Sequence, residues 1–263
     1  MKNVSTKKLA LALTALTLVG ILVFCVACTP DPYKGDYQPV AEADREALVT
    51  STTAKLEEIN EHGLKNVKLT FKMQASSEEG DAKSTQEIKV TMVVDNQKIR
   101  ADIDYNETKP DKTTKFTSTI WADFDTDEAW YKITIDGKTS QGKYDDSHNA
   151  TEEVQLSIVI AALLGPNMIT NVLGQFAEAL TDTECELYAD GENIKICVES
   201  TKDKETSKGE GYFLFFENGA FRCKFENTSE HDYVEDDVTY KGTDYNFAEI
   251  VTVTETVTMP TFE

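Results

Sequence analysis

From Asn66 to Tyr144 apolar and polar residues alternate. Val67, Leu69, Phe71, Met73 and Ala75 form one series, then Ile88, Val90, Met92 and Val94, then Ile99, Ala101, Ile103 and Tyr105. A period of two marks strands with one face on a core and the other in water. Asp95–Lys98 supplies a turn between two of these strands, and Asp136-Gly137 another. With further strands at Thr113–Phe124 and Glu128–Asp136, the pattern predicts six strands in meander order.

Helical periods lie on either side of this block. Ala41–His62 places Leu48, Thr52, Leu56 and Ile59 on one thin stripe and stops at Gly63, so it predicts a surface helix lying on a sheet. Thr151–Thr181 predicts a helical pair broken at Gly165-Pro166. Its first half, Val154 to Leu164, is apolar nearly all round and calls for enclosure. The second, with Met168, Ile169, Val172, Leu173, Phe176 and Leu180, carries one wide stripe. Neither half is long enough to span a bilayer. The pair reads as a plug or lid against the concave side of a sheet.

Strands resume at Glu184, and a final run from Asn246 to Met259 ends at Pro260. Asn218-Gly219 predicts a two-residue type I′ turn. That turn would pair Phe216 with Phe221, Leu214 with Cys223 and Tyr212 with Phe225 on one apolar face, with Arg222, Lys224, Phe213 and Phe215 on the other. The whole reads as an α+β fold. A curved, mostly antiparallel sheet of about 11 strands, a half-barrel, is covered by an N-terminal helix and a central interrupted helix.

The N-terminus changes the picture. Lys2, Lys7 and Lys8 precede an uncharged apolar stretch, Leu9–Val26, that ends in Cys25-Val26-Ala27-Cys28. A positive start, an apolar core and small residues before a cut make a secretory signal. The end of this run resembles the lipobox of bacterial lipoproteins, with Cys28 as the residue that is diacylated and becomes N-terminal; Cys25 stands where Leu is usual. Two other readings of the same residues are an uncleaved N-terminal anchor and cleavage by ordinary signal peptidase. All three export the rest of the chain. Two acyl chains on Cys28 would anchor stably where one is marginal. Residues 1–27 then form the leader, 28–40 the lipidated N-terminus and a Pro/Gly-containing tether, and 41–263 a single domain on the extracytoplasmic side of a bacterial cell membrane.

Charge narrows the partners. The chain carries a net charge of −21, and loss of residues 1–27 removes three lysines and no acid, leaving −24. Nucleic acid is excluded, because its binding rests on Lys and Arg neutralising phosphates. An acidic body is also held off anionic headgroups, so the diacylglyceryl anchor must supply membrane attachment.

Candidate chemistry is sparse. After Cys28 there remain Cys185, Cys197 and Cys223, so at least one is unpaired within the chain. A three-residue loop at 190–192 would set Cys185 opposite Cys197, whereas a two-residue Asp-Gly loop would leave both as free thiols. Each of His62, His148 and His231 lacks a metal-ligand or nucleophile companion at a recognised spacing, and no GxSxG, HExxH or P-loop occurs. The sequence therefore predicts no enzyme, no cofactor and no metal. Asp123–Glu128 begins like a calcium loop, but Glu128 stands where glycine is needed and Thr134 where glutamate is needed, so it reads as an acidic turn.

Element order, the Asp-Gly and Asn-Gly turns and the closing Met259-Pro260 together make Ala41–Pro260 resemble the LolA/LppX-like family of lipoprotein and lipid carriers. Its acidic, tethered character is nearest to uncharacterised Gram-positive lipoproteins. The resemblance implies a half-barrel whose concave face shelters a lipid or other hydrophobic ligand. Leu69, Phe71, Met73, Val90, Met92, Ile103, Tyr212, Leu214 and Phe216 are the candidate inward-facing residues. The alternative is a cell-surface interaction or envelope-sensing module that uses the same fold without a cavity, those residues packing on Ile158–Leu164 as core.

Overall fold

The structure, a computed structural model, describes residues 31–61, 66–80, 82–144, 151–163, 185–202, 205–216, 219–235 and 238–262, together with 173, 174, 177, 180 and 181. The chain divides into Met1–Asp36 and Tyr37–Glu263, and the sheet and its helices belong to the second unit. Cys28, His62, His148, Gly165-Pro166, Met168, Ile169, Val172 and Phe176 lie outside the described residues.

In chain order the elements are β1 (Gln38–Pro39), α1 (Glu42–Glu61), β2 (Val67–Glu79), β3 (Ala82–Asp95), β4 (Lys98–Thr108), β5 (Thr113–Asp123), β6 (Glu128–Ile135) and β7 (Lys138–Lys143). There follow α2 (Glu152–Leu163), β8 (Glu186–Asp190), β9 (Asn193–Lys202), β10 (Glu205–Phe215), β11 (Phe221–Glu235) and β12 (Val238–Thr252). They form one antiparallel sheet of 12 strands in the order β1-β8-β9-β10-β11-β12-β2-β3-β4-β5-β6-β7, which is not closed into a barrel. A twisted open sheet this wide curls rather than staying flat. The fold is the α+β half-barrel expected, and the two-residue β1 takes the count past 11. Gln38 and Pro39, expected in the tether, pair with Ala189 and Tyr188 instead.

The topology explains where the lid lies. β7 and β8 sit near opposite ends of the sheet, so the chain between them must cross a face, and α2 is part of that crossing. Its Val154, Ile160 and Ala161 are buried with the sheet residues, as are Leu173 and Leu180 further along. Ser118 Oγ–H on β5 donates to Ser157 Oγ on α2 (2.9 Å), which donates in turn to the Glu153 carbonyl (2.8 Å). Enclosure of α2 is incomplete, contrary to its all-round apolar pattern. Val159 is 51% exposed, because a helix resting on one sheet can bury only one side.

α1 begins with Glu42 and Asp44, whose charge suits the positive end of a helix. It buries Thr52 and Leu56 and packs Leu48 and Ile59 on the core, as its stripe predicts. Arg45 ties it down by donating to the Cys185 carbonyl (3.1 Å).

Below the helices, register aligns Ile194, Phe213, Cys223, Ile250, Leu69, Met92, Ala101 and Ile120 in one row across eight strands. Every member is at most 2% exposed, so this row is the spine of the core. The last strand stops at Thr252, short of Met259. Its partner β2 begins only at Val67, after Asn66 turns at positive φ (56°), so the ladder runs out. The C-terminal tail then returns over the outer face: Val257 N–H donates to Asp95 Oδ2 (3.0 Å), and Phe262 packs edge-on to Trp121.

Candidate functional site on the inner face of the sheet

Leu69, Phe71, Met73, Val90, Met92 and Ile103 share the helix-covered inner face, as alternation predicts. Leu69, Val90, Met92 and Ile103 are fully buried and serve as core. Phe71 and Met73 are only half-buried. On the same face lie Ile88, half-buried and paired with Met73, and Phe225, 38% exposed and separated from Phe71 by Ala248, whereas Val198 is separated from Met73 by the three strands that carry Asn246, Asn227 and Gly209. Phe71, Met73, Ile88 and Phe225 make an apolar strip on the inner face that packing against the helices leaves partly open.

Tyr212, Leu214 and Phe216 are on the opposite face. The β10–β11 turn is one residue longer than Asn218-Gly219 predicts: Phe216 N–H bonds to the Ala220 carbonyl (3.0 Å) and Gly219 N–H to the Phe216 carbonyl (3.0 Å). Gly219 has φ 77°, the left-handed residue that closes a three-residue hairpin loop. The register becomes Phe215 with Phe221, Phe213 with Cys223 and Tyr212 with Lys224. A slip of one residue exchanges the faces of a strand completely. Phe213, Phe215, Phe221 and Phe225 therefore point inward, and Tyr212, Leu214 and Phe216, expected there, point outward.

Residue periodicity does not reveal two features of this face. Gly209 and Gly211 occupy successive inner positions on β10, opposite Asn227 and Phe225, so the sheet has no side chain there beside the strip. The spacing Gly209-Glu210-Gly211 was the available signal. Beside these residues the same face carries a polar belt that begins in the row of Met73 and Ile88 with Asn246 and Asn227: Ser229 Oγ–H donates to Ser207 Oγ (3.2 Å), which donates to Asn227 Oδ1 (2.9 Å). On the other side of the belt Gln86 Nε2–H donates to the Tyr105 hydroxyl (3.1 Å). Beyond α2, a separate open groove of about 830 Å³ is lined by Ile120, Ala122, Phe124, Tyr144, Ile158 and Ala161 among others.

No family model matches the chain, and no curated protein is similar to it. A distant structural neighbour is a solved DUF1329 family protein from Desulfovibrio piger ATCC 29098. It aligns at 8% identity over 77% of this chain and 90% of its own, with a TM-score of 0.20.

The outer face carries the charge. Lys195 binds Glu210 (2.9 Å) and lies over the Tyr212 ring together with Lys224. Partial burial opposes ionisation of Glu210, but hydrogen bonds from Tyr212 and Lys195 hold its carboxyl below the usual range. Burial and the bond to Glu210 push the Tyr212 hydroxyl up to about 12. Tyr37 packs edge-on to the same ring, so this cluster fixes the start of the domain.

Cys185, Cys197 and Cys223 form no disulfide. Asp190 pairs with Asn193 around a Gly191-Glu192 loop, which puts Glu186 opposite Cys197 and sends Cys185 and Cys197 to opposite faces. At Asp123–Glu128 the Asp125 N–H donates to Asp123 Oδ1 (3.0 Å), forming an acidic turn. Among the described residues no three carboxylate, His or Cys side chains gather to hold a metal ion. His231 stacks against Gly242 at the far end of the sheet.

Proposed function

We propose that this protein is a membrane-anchored extracytoplasmic lipoprotein with a LolA/LppX-like domain that binds a lipid or other hydrophobic ligand on the inner face of its sheet. The observation that carries the reading is the strip of Phe71, Met73, Ile88 and Phe225, which the helices leave partly open. Ligand sites are concave and mostly apolar with a few placed polar groups, and this strip ends in such a belt. The anchor rests on Lys2–Cys28, the export signal, with Cys28 as the acylated residue. The same reading assigns no catalysis to the chain and no nucleic-acid partner, the latter because of its charge.

The solid packing of the spine row favours a second reading, an envelope-sensing or interaction module without a bound ligand. The two are separated by producing the whole protein in a bacterium, releasing it from the membrane through a protease site inserted in the tether before Tyr37, and recording native mass spectra. The carrier reading expects an acyl-chain adduct on the released protein. Bare protein from every preparation would leave the module reading in its place. Cys28→Ser should abolish acylation and processing together, and an unchanged acylated product would refute the anchor.

A further inference from the structure

The sheet separates its charges by face. Register puts Lys72, Lys89, Lys195, Lys208 and Lys224 on the outer face. On the inner face, the described strand positions from the spine row to the Ser207–Ser229 belt carry no Lys, Arg or His; Lys202, opposite Glu205, and His231, against Gly242, stand one row beyond the belt. No Lys or Arg occurs between Lys143 and Lys195. Of the cations of α1, Arg45 bonds the Cys185 carbonyl, and Lys55 pairs with Glu192 (2.9 Å) and lies over the Phe215 ring, across the spine row from the belt. The belt itself offers hydroxyls and amides, Ser207, Ser229, Asn227 and Asn246, with the carboxylate of Asp244 beside them.

A buried or half-buried anion without a partner is expensive, and here Asp244 would add repulsion. Hydroxyl and amide groups, by contrast, exchange hydrogen bonds with an uncharged polar head at little cost. Resting on the carrier reading above, we propose that the inner face takes an amphiphile with an uncharged, hydrogen-bonding head. Its acyl part lies on Phe71, Met73, Ile88 and Phe225, and its head against Ser207, Asn227, Ser229 and Asn246.

The test compares two probes with one chain and different heads, a pyrene-labelled monoacylglycerol and the corresponding pyrene-labelled fatty acid, ionised at neutral pH. Both are titrated into the protein produced whole and released at the tether. The ester should bind at least about tenfold tighter than the acid, the size of an uncompensated charge in a half-dry site. Asn246→Lys should then raise acid binding to that of the ester or above. Thr228→Lys, which adds the same charge on the outer face, should leave the preference unchanged. Equal binding of both probes, or tighter binding of the acid, overturns the head assignment while the carrier reading stands. Equal gains in acid binding from the two lysines would trace the preference to net charge and overturn it as well. Failure of both probes to bind removes the carrier reading and this inference with it.

Discussion

The contact that pins the lid to the sheet gives an asymmetric prediction. Ser118 is 5% exposed and Ser157 0%, and their hydroxyls form a directed chain: Ser118 donates to Ser157, and Ser157 to the Glu153 carbonyl. Ser157→Ala strands the Ser118 hydroxyl in the core, at a cost of roughly 1–3 kcal/mol. Ser118→Ala removes only a donor and leaves Ser157 bonded within its own helix, at about 0.5–1.5 kcal/mol. The double variant should cost no more than Ser157→Ala alone, giving a coupling of about 1 kcal/mol. Urea unfolding monitored by circular dichroism reads these values as midpoint shifts at constant slope. Hydrogen exchange should quicken in α2 more than in the spine strands. Equal costs for the two single variants, summing in the double, would refute the placement of α2 on β5.

Four further outcomes follow from the same packing. A methyl on Gly242 would lie 2.3 Å from His231 Cε1 and 2.6 Å from the Ser76 carbonyl. Gly242→Ala should therefore cost roughly 1–3 kcal/mol, and His231→Ala should rescue only part of it, since the backbone clash remains. Burial pushes the Cys223 thiol up to about 12, so iodoacetamide at neutral pH should spare Cys223 in the folded protein and modify it on unfolding, read by mass. Because Cys223 and Tyr212 both release their protons less readily when folded, stability should fall as pH rises from about 8.5, where an ordinary thiol ionises, toward about 12; a rise over that window would contradict it. Leu69→Ala, in the spine, should cost roughly 2–5 kcal/mol, whereas Val234→Ala, 62% exposed, should stay within about 0.5 kcal/mol.

Much of the sheet is legible because its signals are local. The alternation of β2 to β4 assigns inner and outer faces correctly, and Asp136-Gly137 makes the expected turn, with φ of 49° and 75° at its two residues. Asn218-Gly219 carries the same signal yet sits in a longer loop, because a glycine in the left-handed region can end a three-residue turn as readily as a two-residue one. That single residue puts Tyr212, Leu214 and Phe216 on the outer face and turns Phe213 and Phe215 inward. The tail over Trp121, the pairing of Gln38–Pro39 with β8 and the exposure of Val159 all depend on what lies across the sheet, which residue periodicity does not encode. Leu69 and Phe71 show the limit for the site: identical in pattern, one is core and the other open, and only the extent of helix cover separates them.

The central claim is that the partly open strip on the inner face receives an apolar ligand. It is tested most directly by titrating the neutral dye N-phenyl-1-naphthylamine into the tether-released protein and into two variants, Phe225→Asp on the inner face and Phe216→Asp on the outer. Loss of one Phe from an apolar contact is worth roughly 1.5–3 kcal/mol, about 10- to 100-fold in Kd. Phe225→Asp should show that loss, and Phe216→Asp should bind the dye as the unaltered protein does. Equal affinities in all three proteins would contradict it.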